Sequence, residues 1–312
     1  MSTHQQFISC DWGTSNFRLR LIDYQTLEIL KELTSDVGVK KLYQKFQLDT
    51  SANNQTDFFV HFLREQIKLL NLDYTPTIVA SGMATASIGL LELPYVAMPV
   101  KFNGDNLLSK YVHQANLNIV LISGTKTKND VMRGEEIQAV GLSQYIPTNQ
   151  KGVLLLPGTH SKHIQFNNGV FTDFTTFMTG ELFDVIQKQT LLGNSIQKSA
   201  WSETYQPAFL EGVRKGLNHQ HLASLFSIRA NDLLSNASKE ENFYFLSGLL
   251  IGGELAYLKN KQTEVYIATT GILHTLYKLA LDQTGCNLTS FNADMIDKAL
   301  LIGHKQILAS YV

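Results

Sequence analysis

The sequence predicts an α/β protein built from two related domains. The chain has 312 residues, enough for two domains of about 150 residues each. Hydrophobic residues make up 44% of it and charged residues 17%, the balance of a folded globular protein. Short β-branched runs alternate with helical patterns, and one strand, turn and strand device occurs twice. We therefore expect two domains with a cleft between them.

The first half of the chain predicts a strand meander followed by parallel strands and helices. The predicted strands are residues 7–10, 17–21, 28–33, 77–80 and 118–122. Between the third and fourth strands, apolar residues recur at the spacing of one helical face, with Thr56 or Asp57 as the helix cap. Residues 130–144 are predicted to form a second helix, capped by Asp130.

The second half repeats the meander and then becomes mainly helical. Strand 153–156 is fully apolar, and the turn Asn168-Gly169 separates two further strands, with the return strand at 170–174. Later segments are predicted as a strand at 263–270 and helices at 209–216, 220–230, 243–258 and 272–281.

A buried strand leads twice into a Gly-Thr pair in a hydroxyl-rich turn, at Gly13-Thr14 and at Gly158-Thr159. This weak internal repeat places the domain boundary near residue 148. We expect domains at 1–148 and 149–294, with the last helix, 295–312, as a candidate addition to the first domain.

Charge and hydropathy argue against several functional classes. The formal net charge of -1 gives no field that would attract nucleic acid or an anionic membrane surface. Met1 to Gln6 is polar and the next apolar run stops at Asp11, so we expect no signal peptide and a cytoplasmic location. The longest apolar stretch, 243–253, is too short to cross a bilayer. Cys10 and Cys286 lack the spacing of a zinc or redox motif and are expected in the core.

The first Gly-Thr turn has the composition of a phosphate-binding loop. Successive backbone N–H groups in such a turn can point into one concavity, and glycine lets an anion approach closely. Thr14 and Ser15 could donate to phosphate oxygens, and Asp11 is placed to hold Mg²⁺ through water. The alternative is an ordinary hairpin loop, but two copies favour phosphate binding. No Walker motif occurs in the sequence.

Asp11-Trp12-Gly13-Thr14-Ser15-Asn16-Phe17-Arg18 resembles the first phosphate motif of the actin and hexokinase superfamily. Further segments resemble one family within it, the 2-keto-3-deoxygalactonate kinases, in the same order along nearly the whole chain. These segments are Ser81-Gly82-Met83, Pro94-Tyr95-Val96, Asp130 to Glu136, Leu156 to Lys162, Met178 to Phe183 and Leu246 to Gly252. The resemblance implies two ribonuclease H-like, actin/hexokinase-type domains facing across a nucleotide cleft.

The resemblance also implies a kinase that uses ATP and Mg²⁺, with Asp11 as the metal residue. The residues it assigns to the ATP phosphates are Gly13, Thr14, Ser15, Arg18, Gly158, Thr159, His160, Ser161 and Lys162. Of these, His160 or Lys162 would meet the γ-phosphate. Gly248 and Gly271 would lie near adenosine.

For the acceptor, the resemblance implies phosphorylation of a 2-keto-3-deoxy sugar acid, 2-dehydro-3-deoxy-D-galactonate, at its terminal hydroxyl. Asp130 or Glu135 would be the general base. Asp130 is preferred because kinases of the superfamily often have an aspartate at the start of the corresponding helix. Arg133 would pair with the substrate carboxylate, or else with a neighbouring carboxylate of the protein. The turn Ser81-Gly82-Met83 would add backbone donors.

The chain departs from the usual pattern at three positions. Pro157 stands where many superfamily members have an aspartate, so the metal depends more on Asp11. Ser87 and Leu90 replace a family arginine and tryptophan, which leaves the identity of the sugar acid open.

Rival functions are a polyphosphate or nucleotide phosphatase of the same fold and a non-catalytic ATP-binding switch. His163, His219 and His221 are expected at the surface, and Gly252-Gly253 in helix packing. A homodimer is one candidate oligomeric state.

Overall fold

The computed structural model describes residues 5–50 and 54–311. The polar residues 1–4, part of the argument against a signal peptide, lie outside this range, as does Val312 at the end of the predicted last helix. The strands are β1 Gln6–Trp12, β2 Phe17–Asp23, β3 Ile29–Ser35, β4 Ile78–Gly82, β5 Val96–Ala97, β6 Val100–Lys101, β7 Ser109–Gln114, β8 Leu117–Ile122, β9 Thr125–Lys126, β10 Val131–Met132, β11 Lys151–Leu156, β12 Ser161–Asn167, β13 Val170–Phe177, β14 Glu264–Ile267 and β15 Asn287–Ser290.

The α-helices are α1 Val39–Leu48, α2 Gln55–Leu69, α3 Glu135–Ser143, α4 Thr179–Gln189, α5 Gln206–Leu217, α6 His221–Leu233, α7 Lys239–Leu255, α8 Gly271–Leu281 and α9 Ala293–Leu308. Within the described ranges, no helix combines the length and the hydropathy needed to cross a bilayer.

The chain divides into two compact units. Unit 1 runs up to Gln150 and also contains Asn167–Asp173 and the segment from Asp294 onward. Unit 2 contains Lys151–Phe166 and Phe174–Ala293.

The sheet of unit 1 has the strand order β3-β2-β1-β4-β8-β7. The first three strands form an antiparallel meander, and β1, β4 and β8 run parallel. The edge strand β7, which the sequence did not reveal, is antiparallel to β8. Trp12 packs edge-on against Phe17 with 4.8 Å between ring centroids, and α2 covers both with its buried face.

The sheet of unit 2 follows the same order, β13-β12-β11-β14-β15. Strands β11, β14 and β15 are parallel, like β1, β4 and β8. The turn between β12 and β13 belongs to unit 1, and the start of β13 there pairs with β6. Val170 pairs with Lys101, and Phe171 pairs with Val100. The two sheets confirm the predicted α/β class and the internal repeat.

Two local expectations were wrong. Asn54, not Thr56 or Asp57, caps α2, because its side chain accepts from the backbone N–H of Asp57 at 2.8 Å. Asp130 does not cap α3. It lies in the turn between β9 and β10, and the cap is Gly134.

Candidate active site

The first predicted phosphate loop lies at the carboxyl end of the parallel strands of unit 1. Asp11 pairs with Ser81 and Trp12 with Gly82. Gly82 has φ +76°, and a Cβ on it would lie 2.8 Å from the carbonyl oxygen of Trp12, so only glycine fits. The same Cβ position is 3.8 Å from Asp11 Oδ1, so the backbone of Gly82 borders that carboxylate. Ligands commonly bind at this end of an open α/β sheet.

Helix α1, which the sequence analysis missed, orients this loop. The backbone N–H groups of Gly38, Val39 and Lys40 donate to the carbonyls of Ser15, Gly13 and Thr14 at 3.0–3.1 Å. In a planar trans peptide the C=O and the following N–H point in opposite directions. The backbone N–H groups of residues 14–16 therefore point away from α1. The sequence signal for α1 was Gly38 followed by the amphipathic run 39–46.

An open cavity of about 1090 Å³ borders the loop. Its lining includes Asp11, residues 13–16 and Arg18. Thr14, Ser15 and Arg18 are exposed there, while Asp11 is partly buried. The predicted phosphate and metal residues of the first loop thus share one surface with room for a polyanion.

The start of α3 brings two further carboxylates to this end of the sheet. Gly134 has φ +111°, and a Cβ on it would lie 3.3 Å from the Cα of Gly82. Burial raises the pKa of Asp11, Arg18 and Arg20 lower it, and the negative charge of Glu135 raises it. Glu135 is therefore the candidate base whose charge reaches the candidate metal residue.

Glu136 is a buried carboxylate near the candidate site that the sequence did not reveal. Its carboxylate accepts from the backbone N–H of Gly134 at 2.9 and 2.7 Å, and its side chain is buried. Burial, with the charge of Glu135, raises the pKa of Glu136 to about 8. The signal in the sequence was a pair of adjacent glutamates at a helix start, of which only one can face solvent.

Glu136→Gln is expected to change how stability depends on pH. Between pH 4.5 and about 8 the unfolded chain loses a proton that the folded Glu136 keeps, so wild-type stability falls as pH rises through this window. The variant should lack this fall. Its free energy of unfolding relative to that of the wild type should therefore be higher at pH 8 than at pH 5, by on the order of 3 kcal/mol. Thermal unfolding at pH 5 and pH 8 measures it. Equal pH dependence in both proteins would contradict the assignment.

Arg133 lies in the loop before α3, not on the helix one turn beyond Asp130 as predicted. Its Nη1 donates to the carbonyl of Thr85 at 2.7 Å and also contacts the Thr85 hydroxyl, and its Nη2 donates to the carbonyl of Leu93 at 3.3 Å. The guanidinium lies over the ring of Tyr95, 4.1 Å from its centroid. Its Nε is buried without a hydrogen-bond partner. Arg133 thus holds residues 85–95, and these contacts use three of its five N–H donors.

Behind the predicted substrate turn lies a buried histidine. His304 of α9 bridges the hydroxyls of Ser9 and Ser81, each at 2.9 Å, and is 0% exposed. Burial lowers the pKa of His304 to about 3, so it stays neutral and donates to one hydroxyl while accepting from the other. The Ser81 side chain therefore points into the core, which leaves only backbone groups of Ser81 and Gly82 for a substrate. Met83 begins a short 3-10 helix, Met83–Thr85.

The second predicted phosphate loop is 158–162, of which Gly158, Thr159 and His160 form a loop held by the start of α4 in unit 2, while Ser161 and Lys162 begin β12. The backbone N–H of Glu181 donates to the carbonyl of Thr159 at 3.1 Å. A Cβ on Gly180 would lie 2.7 Å from the carbonyl oxygen of Gly158. The first turn of a helix thus holds carbonyls of this loop as it does in unit 1, which extends the internal repeat.

The two residues predicted to meet the γ-phosphate differ in exposure. His160 lies exposed in the loop and hydrogen-bonds Glu181. Lys162 is the second residue of β12 and is only 5% exposed. His160 is therefore the better placed of the two.

An apolar cavity of about 240 Å³ begins at the second loop. It extends from Gly158 and Gly180 along Phe243 and Ser247 to Ile272 and Leu276. Its walls are mostly apolar and include the polar residues Thr179, Ser199 and Ser247, a composition common in small-ligand pockets. Gly271, the first residue of α8, is exposed, has φ +63° and has open space beside it.

Gly248 faces away from this cavity, contrary to its predicted contact with adenosine. A Cβ on it would lie 2.0 Å from the carbonyl oxygen of Phe209, so Gly248 permits close packing of α7 on α5. Gly252 packs on the same helix, with a Cβ position 2.4 Å from the Val213 carbonyl oxygen. The neighbouring Ser247 lines the cavity instead.

A buried polar network in unit 2 was also missed. His163, expected at the surface, is 2% exposed, and its Nε2 lies 2.7 Å from Oε1 of the buried Glu254. The Tyr277 hydroxyl donates to Glu254 and lies 3.2 Å from the Ser161 hydroxyl. The burial of His163 was hard to predict because residues 161–164 of β12 are all buried, and period-two alternation cannot place a strand that is covered on both faces.

The donor set of unit 1 fits a magnesium ion bound together with phosphate. Asp11 supplies a carboxylate whose pKa is raised by burial and, to a smaller extent, by the negative charge of Glu135, and a bound cation would favour its ionised form. Across the part of the chain that the structure describes, no three His, Cys, Asp or Glu side chains cluster as ligands. Mg²⁺ commonly takes one or two carboxylates and completes its shell with phosphates and water.

Comparison with known proteins gives relatives along nearly the whole chain. The chain is 32% identical over 298 residues to 2-dehydro-3-deoxygalactonokinase of Escherichia coli, covering 93% of this chain and 94% of the relative. It is 30% identical over 303 residues to a Rhizobium meliloti protein given the same activity provisionally, covering 94% of each.

A crystal structure gives the same result. A Sinorhizobium meliloti protein, provisionally described as a 2-dehydro-3-deoxygalactonokinase, matches with a TM-score of 0.81 at 28% identity, covering 97% of this chain and 96% of that one. The sequence model of the 2-keto-3-deoxy-galactonokinase family matches residues 11–302. The resemblance predicted from the motifs is therefore confirmed. The chain belongs to the 2-keto-3-deoxy-galactonokinase family.

Proposed function

We propose that this chain transfers the γ-phosphoryl group of ATP to the terminal hydroxyl of 2-dehydro-3-deoxy-D-galactonate and forms the 6-phosphate. The observation that carries the proposal is the family match over residues 11–302, which includes both loops and the start of α3. The Escherichia coli relative bears the name of this activity. Because the reaction consumes ATP, we also propose a cytoplasmic location. A homodimer stays a prediction.

The two loops are proposed to bind nucleotide phosphates. In the first, the amides of residues 14–16 and the side chains of Thr14, Ser15 and Arg18 would donate. In the second, Gly158, Thr159 and His160 would do so, with Ser161 and Lys162 supporting the loop from β12. Adenosine would occupy the apolar cavity lined by Ile272 and Leu276, which follow Gly271 at the start of α8. Asp11 would hold Mg²⁺, which supplies neutralisation of phosphate charge when bound.

Glu135 is proposed as the general base, with Asp130 as the alternative. The premise that favoured Asp130 was its place at the start of the helix, and in the structure the first helical residue is Glu135. Glu135 would take the proton of the terminal hydroxyl as that oxygen bonds to the γ-phosphorus and ADP leaves. Catalysis then rests mainly on positioning and on charge neutralisation.

Arg133 and the backbone of Ser81 and Gly82 are proposed to bind the substrate carboxylate. Arg133→Ala should raise KM for the sugar acid about ten- to hundred-fold, equivalent to ~1.5–3 kcal/mol, because a charged hydrogen bond is lost. KM for ATP should change much less. Steady-state kinetics with each substrate varied in turn measures both constants.

Arg133 also holds residues 85–95, so its loss is expected to lower the melting temperature. Arg214→Ala, which removes an exposed arginine paired with Glu211, is the control. If KM for the acid stays at the wild-type value, or if both KM values rise equally, the carboxylate assignment fails.

The proposed function is tested by a coupled ADP-release assay with a panel of sugar acids and neutral sugars. ADP should appear only when a 2-keto-3-deoxy sugar acid is present. Phosphate release without any acceptor would indicate the phosphatase, and nucleotide binding without acceptor-dependent turnover would indicate the switch.

A further inference from the structure

A chain of buried hydroxyl and carboxylate groups connects the second phosphate loop to the interior of unit 2. The backbone N–H of Gly158 donates to the Ser161 hydroxyl at 3.3 Å, and that hydroxyl lies 3.2 Å from the Tyr277 hydroxyl. Tyr277 Oη in turn lies 2.9 and 2.8 Å from the two carboxylate oxygens of Glu254. Ser161 is 0% exposed, Tyr277 2% and Glu254 3%.

The direction of donation along these hydrogen bonds is set by the carboxylate of Glu254, which only accepts. The carboxylate of Glu254 accepts the Tyr277 proton, so the oxygen of Tyr277 is left to accept from Ser161, whose oxygen accepts from Gly158. Burial, and secondarily the charge of Glu254, raise the pKa of Tyr277, so its hydroxyl stays a donor. Each bond in such a chain strengthens the next.

Tyr277 also connects this chain to the proposed nucleotide cavity. Its side chain lines the apolar cavity together with Gly158, Gly180 and Ile272. A second branch leaves Glu254 on the other side, where His163 lies 2.7 Å from Oε1 and the Tyr257 hydroxyl lies 2.8 Å from His163 Nδ1. The hydrogen bonds of this branch, among the residues that the structure describes, join Glu254, His163 and Tyr257 and do not reach residues 157–160, so the branch supplies a matched control.

We propose that Tyr277 and Glu254 are positioning residues for the second phosphate loop, which they hold through Ser161 in the conformation that binds nucleotide phosphates. This inference rests on the proposed function for the identity of the nucleotide. Neither residue needs to touch a phosphate. A preorganised loop loses less conformational freedom when the nucleotide binds, so the contribution of Tyr277 and Glu254 should appear in phosphate affinity.

The test compares binding of adenosine with binding of a non-hydrolysable ATP analogue, by calorimetry on the full chain. Tyr277→Phe keeps the ring that lines the cavity and removes only the hydroxyl. It should lower the affinity for the ATP analogue about ten-fold and leave the affinity for adenosine within about two-fold of wild type, since only the analogue has phosphates that contact the loop. Glu254→Gln should weaken the analogue similarly, because a carboxamide accepts through one oxygen only.

Tyr257→Phe removes a hydroxyl from the other branch and should leave both affinities within about two-fold. Ser161→Ala should reproduce the effect of Tyr277→Phe, and Ser161→Thr, which keeps the hydroxyl, should restore analogue binding. The Ser161 pair decides the question if Tyr277→Phe fails to fold.

Equal weakening of adenosine and the analogue by Tyr277→Phe would mean that Tyr277 acts as a cavity wall only, and would overturn the proposal. Unchanged binding of both would overturn it as well. The binding assay needs no acceptor sugar. A failure to phosphorylate sugar acids would thus count against the proposed function. If the variants changed the affinities for adenosine and for the ATP analogue equally, that result would count against this inference.

Discussion

Asp11→Asn is expected to lower kcat by two to three orders of magnitude with the fold intact. Asp11 is the penultimate residue of β1, directly before the first loop, and its carboxylate, which borders the backbone of Gly82, is the proposed metal ligand. Pro157 leaves the second loop without the aspartate that often shares this task. Loss of one electrostatic contact to the transferring phosphoryl group costs about 3–4 kcal/mol, which corresponds to this loss of rate.

Activity measured against Mg²⁺ concentration checks the assignment, because the variant should also need more Mg²⁺. Asp36→Asn is the control, since Asp36 is an exposed carboxylate near the same loop that pairs with Lys41. Its kcat should stay within about two-fold of wild type. Turnover near the wild-type rate in Asp11→Asn would remove Asp11 from the mechanism.

Glu135→Gln is expected to lower kcat by about 10²–10⁴-fold while the affinity for an ATP analogue stays unchanged. A general base acts on the acceptor hydroxyl and contributes a factor of this size. Single-turnover rates and analogue binding, measured on the same preparations, separate chemistry from nucleotide affinity.

Asp130→Asn should lower kcat by less than ten-fold, since Asp130 lies in the turn between β9 and β10 and its carboxylate accepts from the backbone N–H of Val131 at 2.7 Å. The reverse ranking, with Asp130→Asn the more damaging, would return the role of base to Asp130. The pair of variants therefore decides between two carboxylates that the sequence left open.

Repeated local patterns made the fold accessible from the sequence. Alternation in β2 and the apolar runs of β1 and β11 predicted both meanders, because a period of two is visible where one sheet face is exposed and an apolar run marks a strand that is buried on both faces. The turn Asn168-Gly169 was predicted correctly, and both residues have positive φ.

Two of the missed strands lack such a pattern. Strand β7 is mostly exposed at the sheet edge, and β15 has four largely polar residues. Helix α4 has no fully buried residue and contacts the core of unit 2 through the partly buried Phe183 and Ile186, so its apolar face is short. Each depends on contacts with distant parts of the chain, which local propensity does not encode.

Site residues were easier to name than to orient. The motifs identified Asp11 and Arg133, but only the structure shows that Arg133 donates to the carbonyls of Thr85 and Leu93. Gly248 could have served a ligand or a helix contact, and the 2.0 Å approach of the Phe209 carbonyl assigns it to packing. The partners of His163 and His304 are far away in sequence, 91 residues for Glu254 and 295 for Ser9.

Identification of the reaction product tests the central claim most directly. ATP, Mg²⁺, the protein and 2-dehydro-3-deoxy-D-galactonate are incubated, and the products are examined by phosphorus NMR. We expect one phosphomonoester per ADP, with its signal split by two protons because the phosphate is on the terminal CH₂ oxygen. Inorganic phosphate as the product, or an ester signal split by a single proton, would contradict a kinase for the terminal hydroxyl.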